Sequence, residues 1–167
     1  MKRNYTLKTL DSVLTKLRSL KTNVPVSLGA DIIIGFPGET DDDFQATYDM
    51  YKTLEFNDAF IYKYNIRENT LASKDFIDDV DDKTKTIRLS KLLELKETIQ
   101  TKKLNERIGL TLEVLADNET KKNKSLIFSL SKNQDVVLYK SKSDDLKGVK
   151  KVLITGVKGH ALFGEEI

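Results

Sequence analysis

Leu7, Leu10, Val13, Leu14, Leu17 and Leu20 recur at three- and four-residue spacing, and this single apolar stripe predicts an amphipathic helix over 6–20. The pattern then changes. Asp31-Ile32-Ile33-Ile34 places three β-branched apolar residues in a row, which predicts a strand covered on both faces. Gly35, Pro37 and Gly38 stop that strand, and the two glycines permit backbone angles or close approaches that a Cβ would block. Thr40 is an N-cap, and Asp41, Asp42 and Asp43 load the first turn of a helix over 41–55, where the helix dipole favours acids. Phe44, Tyr48, Tyr51 and Leu54 give this helix its inward face. A strand, a glycine-bearing loop and a helix N-terminus can together hold a nucleotide-like ligand against backbone amides.

Asp58 to Tyr64 reads as the next strand, so the first part of the chain has a βαβ pattern and predicts a parallel sheet with crossover helices. Residues 65–80 are polar and read as irregular. Asp81 or Asp82 then caps a long helix to about Asn105, with Ile87, Leu92, Leu95 and Ile99 among its buried positions. After Gly109 the texture shifts to short apolar runs at 110–115, 126–130, 136–139, 149–157 and 161–164, separated by polar turns. Five short strands in so little chain predict a small closed barrel of OB-like size. The boundary is placed near Glu106, giving domains over 1–105 and 106–167.

Composition changes the picture in one respect above all. Among 167 residues there is no cysteine and a single histidine, His160. Disulfides, thiolate metal sites and cysteine-held iron–sulfur clusters are excluded within these residues, and one histidine alone makes neither a metal cage nor a catalytic triad. His160 reads as a turn residue. Asp41–Asp43 and Asp78, Asp79, Asp81 and Asp82 lack the alternating ligands of a calcium loop and read as helix-start acids. The net charge of +2 is uneven: residues 1–106 carry 17 basic and 18 acidic side chains, and residues 107–167 carry 11 and 8. That mild basic bias does not by itself establish a nucleic-acid partner. No apolar run approaches the roughly 20 residues of a membrane span, and a cytoplasmic location is the expectation.

Taken in order, 1–6, Asp31–Thr40 and Phe60–Ala72 resemble the corresponding blocks of radical-SAM methylthiotransferases. The segment 109–165 resembles their C-terminal TRAM domain, through Leu112-Glu113-Val114-Leu115, Lys121-Lys122-Asn123 and Leu162-Phe163-Gly164-Glu165. The resemblance covers essentially the whole chain. It implies the closing α/β segment of a partial (β/α) barrel followed by a small all-β TRAM barrel. It also implies S-adenosylmethionine and two 4Fe-4S clusters as cofactors, with the cluster cysteines in an N-terminal part outside these residues. The chain alone is then expected to be inactive. Phe60–Tyr64 with Arg67, plus Lys121-Lys122-Asn123, is most similar to the branch that methylthiolates isopentenyl-adenosine beside the tRNA anticodon. Sister branches act on threonylcarbamoyl-adenosine in tRNA or on a ribosomal protein, and a non-catalytic RNA-binding protein is the reading from another class.

The resemblance puts Ile33, Gly35, Gly38 and Tyr64 at the S-adenosylmethionine site, and Lys63 and Arg67 at its mouth facing tRNA. Lys121, Lys122 and Lys124 become candidates for phosphate contact, which is strongly salt-dependent. Glu39 is read as pinning the glycine loop. Phe128, Tyr139 and Phe163 are candidates for stacking on unpaired bases, with at least two of them expected in the barrel core. One block departs from the family pattern. Where Ser-Pro-Arg-x-Gly-Thr-Pro-Ala is common, this chain has Asn65-Ile66-Arg67-Glu68-Asn69-Thr70-Leu71-Ala72, without either proline or the glycine. Asn69 is expected to take the left-handed conformation in the glycine's place.

Overall fold

A computed structural model describes residues 6–20, 27–119, 126–141 and 148–167, which form two compact units, 1–99 and 100–167. In the first unit, helix α1 (Leu7–Ser19) starts at Thr6, whose hydroxyl accepts from the Thr9 amide at 3.2 Å. Strand β1 (Gly29–Ile34) leads into helix α2 (Asp41–Leu54), and strand β2 (Asp58–Lys63) lies parallel to β1 with Ile33 opposite Tyr62 and Ile34 opposite Lys63. A short helix α3 (Leu71–Asp75) and the long helix α4 (Asp82–Asn105) follow. The core joins Leu14 of α1, Ile34, Ala59, Phe44, Tyr51 and Leu54 of α2, Phe56, and Leu92 and Ile99 of α4.

Three expectations are corrected here. Strand β1 is not covered on both faces: Ala30, Ile32 and Ile34 face the helices, but only Ile34 is fully buried. The opposite face carries Asp31, Ile33, Phe60 and Tyr62, and Phe60 and Tyr62 are exposed because the two-stranded sheet has no second layer within this unit's described residues. Ile87 is 47% exposed, and the inward positions of that turn belong to Lys85 and Arg88. The stretch 65–80 is not wholly irregular, since Thr70 caps α3 by accepting from the Ser73 amide at 3.2 Å. As to the (β/α) barrel segment, the described residues show one parallel strand pair with its helices.

The second unit is a closed five-stranded barrel. Its strands β3 (Thr111–Glu119), β4 (Ile127–Ser131), β5 (Val136–Lys140), β6 (Gly148–Lys158) and β7 (Ala161–Glu166) run in the spatial order β3-β4-β5-β7-β6, and β3 closes on β6. Among the described barrel strands only the β5–β7 pairing is parallel. Alternation turns Val114, Ala116, Ile127, Val137, Tyr139, Val152, Ile154 and Leu162 inward, and Leu104 from the last turn of α4 joins them. Ser129 is buried among them and donates to the Val137 carbonyl at 2.8 Å, which satisfies its hydroxyl. Of the three aromatics expected here, Tyr139 alone is fully buried. Phe128 and Phe163 both lie in register with Leu138, so the alternation puts all three, half-buried, on the outer face. His160 stands in the turn between β6 and β7.

Candidate functional site

Parallel strands present their carboxyl ends at one edge, and in α/β proteins ligands bind beyond that edge. Here the edge opens into a cavity of about 470 Å³ lined by Ile33, Phe36, Tyr62, Lys63, Tyr64, Asn65, Arg67, Thr70 and Ala72. Four residues singled out in the sequence, Ile33, Lys63, Tyr64 and Arg67, therefore meet in one place. Gly35 and Gly38 are in the loop beside it but not in its lining. Lys121, Lys122 and Lys124 lie outside the described residues.

The walls are set by local rules. The Tyr64 amide donates to the Ile34 carbonyl at 2.8 Å, carrying the parallel pairing one residue past β2. Phe36 meets Tyr64 edge-on at 5.2 Å between ring centroids and Phe76 at 5.7 Å, the T-shaped geometry that aromatic quadrupoles favour. Asn69 has φ 64°, so the left-handed turn survives the loss of glycine. The Thr70 hydroxyl donates to the Arg67 carbonyl at 2.8 Å and closes that turn.

The loop after β1 is held by charge. Glu39 accepts from the Gly35 amide at 2.9 Å and from Arg88 at 2.7 Å, so it does pin the loop. Arg88 also donates to the Glu39 carbonyl at 3.1 Å and to Asp41 at 2.7 Å. Burial opposes the Arg88 charge, but its hydrogen bonds to Asp41 and Glu39 outweigh burial and raise its pKa above the ordinary guanidinium value. Asp79 accepts from the Gly38 amide at 2.7 Å. Lys85, buried, holds Asp78 through both carboxylate oxygens at 2.6 and 2.7 Å, and its ammonium stands 5.4 Å from the Tyr64 ring centre.

Thr40 and Asp43 form a reciprocal capping box at the start of α2. Hydrogen bonds from the Thr40 hydroxyl and amide keep the Asp43 pKa below its usual 3.8. At the far side, Lys63 donates to Asp82 at 2.8 Å and to Thr86 at 3.3 Å, which ties its ammonium to the first turn of α4.

Sequence reasoning missed Phe36, Tyr62, Phe76, Lys85 and Arg88, and it read Asp78 and Asp79 as helix-start acids, whereas they hold Lys85 and the Gly38 amide. A signal for the two cations was present: Lys85, Arg88, Leu92, Leu95 and Ile99 continue one helical stripe at three- and four-residue steps. The stripe simply passes from apolar to charged where it reaches the strand ends. The acids before α4 serve Lys85, Gly38 and the Thr84 amide in turn, and Asp82 at its first position serves Lys63. Among the described residues no group of three or more His, Cys, Asp or Glu side chains can hold a metal ion.

A ligand-sized cavity at the carboxyl end of a parallel strand pair, in a chain that continues into a closed β-barrel, defines the class: an α/β unit and a barrel module. No family model matches the chain. Curated relatives do. The chain is 38% identical over 145 residues to the tRNA-2-methylthio-N(6)-dimethylallyladenosine synthase of Treponema pallidum, covering 86% of this chain and 31% of that protein. The synthase of Protochlamydia amoebophila is 36% identical over 167 residues, covering 99% and 37%, and that of Desulforamulus reducens is 35% identical over 169 residues, covering 100% and 36%. The chain is a homologue of the tRNA-2-methylthio-N(6)-dimethylallyladenosine synthases, matching mostly their C-terminal part. It spans about a third of the length of these relatives.

Proposed function

We propose that this chain is the C-terminal portion of a cytoplasmic radical-SAM tRNA methylthiotransferase acting on isopentenyl-adenosine beside the anticodon. In this reading residues 1–105 are the closing segment of the (β/α) barrel, and residues 106–167 are a TRAM domain that holds the anticodon stem-loop. The observation that carries it is the strand-end cavity, which gathers Ile33, Tyr62, Lys63, Tyr64 and Arg67 in a chain whose relatives modify tRNA.

Its volume falls in the range of small-molecule sites, and its aromatic walls suit a planar heterocycle. Ile33 and Tyr64 would hold S-adenosylmethionine, with Gly35 and Gly38 shaping the loop between strand and helix. When bound, that molecule supplies the methyl group and the radical chemistry. The 4Fe-4S clusters do not fit these residues, because a chain without cysteine offers them no thiolate. Their ligands belong to the N-terminal part of the same enzyme, and this chain alone is inactive. What its own residues do is orient: Lys63 is fixed on Asp82, Arg67 stands at the rim, and the outer row Phe128, Leu138 and Phe163 offers apolar surface to unpaired bases.

The test is a titration of the chain with an anticodon stem-loop RNA across a salt series. Binding should weaken steeply with salt, and replacing Lys121, Lys122 and Lys124 by Gln should flatten the slope by up to about 2 units for single-stranded contact. An unchanged slope removes these lysines from the interface, and absence of salt-dependent binding overturns the tRNA reading. Labelled S-adenosylmethionine should bind the chain and be lost in Tyr64→Ala.

A second reading is a cofactor-free RNA-binding protein in which the first unit only carries the barrel. RNA binding without S-adenosylmethionine binding would select it. A modification assay with the full-length enzyme separates the isopentenyl-adenosine activity from the threonylcarbamoyl-adenosine and ribosomal-protein alternatives.

A further inference from the structure

Two cations one helical turn apart on α4, Lys85 and Arg88, are buried where the strands end, and neither reaches into the cavity lining. Each is fastened at its head. Lys85 grips Asp78 through both oxygens, while Arg88 bridges Glu39 and Asp41. The two acids Arg88 bridges differ sharply: the Glu39 side chain is 11% exposed and that of Asp41 94%. The buried arm of this bridge is therefore the one that also receives the Gly35 amide, and water cannot readily replace it.

Gly35 completes the arrangement. Its φ of 72° strains any L side chain, and a Cβ built there would overlap the Cγ of Lys85 and stand 3.0 Å from its Cδ and Cε. The Lys85 stem cannot swing aside cheaply, since one end is in a helix, the ammonium is on Asp78 and the Tyr64 ring flanks it. Gly35 thus gives up its side-chain volume to Lys85 and its amide to Glu39.

We propose that Lys85 and Arg88 are positioning residues for the strand-end cavity. Arg88 holds the loop after β1 through Glu39, and Lys85 fills the space beside Gly35 and supports Tyr64, so that the wall formed by Ile33, Phe36 and Tyr64 is in place before any ligand arrives. What Gly35 makes room for is the Lys85 stem. That the wall serves S-adenosylmethionine rests on the function proposed above; the positioning itself does not.

The test uses the full chain without ligand and reads amide hydrogen exchange. Arg88→Lys keeps the charge but cannot bridge two acids with a planar fork. It should speed exchange at Gly35 and Glu39 by about tenfold, the equivalent of one hydrogen bond to a charged group, while the α2 amides over 44–54 stay unchanged. Asp41→Asn leaves the buried arm intact and should leave the Gly35 rate as it is. Gly35→Ala should speed loop exchange by at least about fivefold less in a Lys85→Ala background than in the native chain.

Equal effects of Gly35→Ala in both backgrounds, or loop rates unmoved by Arg88→Lys, overturn the proposal. If α2 exchange rises together with the loop, the role is general stability and the proposal also fails. Labelled S-adenosylmethionine then serves as the separate probe, its affinity falling in Arg88→Lys by a similar factor. Failure of the native chain to bind it would count against the proposed function and leave the exchange results to decide the positioning.

Discussion

In the barrel every strand has two neighbours, the core is apolar, and its buried Ser129 hydroxyl finds a carbonyl. Among the first unit's described residues the sheet has two strands, and the loop at its carboxyl edge is held by Glu39, Asp79, Lys85 and Arg88. The barrel is fixed by closure, which satisfies backbone groups without needing particular side chains. The strand-end site is fixed by named charges reaching across 49 residues of sequence, as Arg88 does to Glu39. A closed sheet tolerates surface change and punishes loss of core volume. An ion-held loop does the reverse, since the atoms that hold it are few and each is specific.

The largest effect that would sharpen this contrast is in the barrel core. Leu162 is completely buried, and Leu162→Ala should cost about 3–4 kcal/mol through lost contacts and the cavity left behind. Chemical denaturation followed by exchange at β6 and β7 measures it, and a cost below about 1 kcal/mol would mean that closure, not packing, carries the barrel. Next comes Arg88→Met, which strands the buried Glu39 carboxylate and should ease local opening of the loop at Gly35 and Glu39 by about 3 kcal/mol, read by amide exchange. If Arg88→Met leaves exchange at Gly35 and Glu39 unchanged, the loop is not held by charge and the comparison breaks.

Thr40→Ala removes an N-cap and should cost about 1 kcal/mol. It carries a pH signature as well. The Asp43 pKa is lowered in the folded protein, so the stability it contributes is present above the ordinary carboxylate value and lost as pH falls through the lower folded value. Thermal melts below about pH 4 should therefore fall less steeply for Thr40→Ala than for the native chain. The smallest expected effect is Lys63→Met. Its partner Asp82 is 78% exposed, and such a pair contributes under about 1 kcal/mol.

Much of the architecture was legible in the pattern of residues. The stripe over 6–20, the cap at Thr40, the βαβ order and the five short strands all follow from period and turn chemistry, which act over a few residues. The strand over Asp31–Ile34 was read correctly as a strand and wrongly as doubly covered, because a run of isoleucines reports β-propensity but not how many layers surround it. Ile87 was placed inside for being apolar, although Lys85 and Arg88 hold the inward positions of that turn. Phe128 and Phe163 show the same limit in the barrel. Aromatic identity suggested core, and strand register with Leu138 turned them outward.

Of the candidate site, Ile33, Lys63, Tyr64 and Arg67 were named through the family resemblance, and the structure gathers them where the two parallel strands end. The sequence by itself determined the elements other than α3, the cap at Thr40 and the lack of any thiolate, since each depends on residue type and near neighbours alone. Only the tertiary structure decided what Gly35, Lys85 and Arg88 do and which cation holds Glu39. Their partners lie tens of residues away, and burial turns an ordinary surface charge into a fixed strut only once water has been excluded around it.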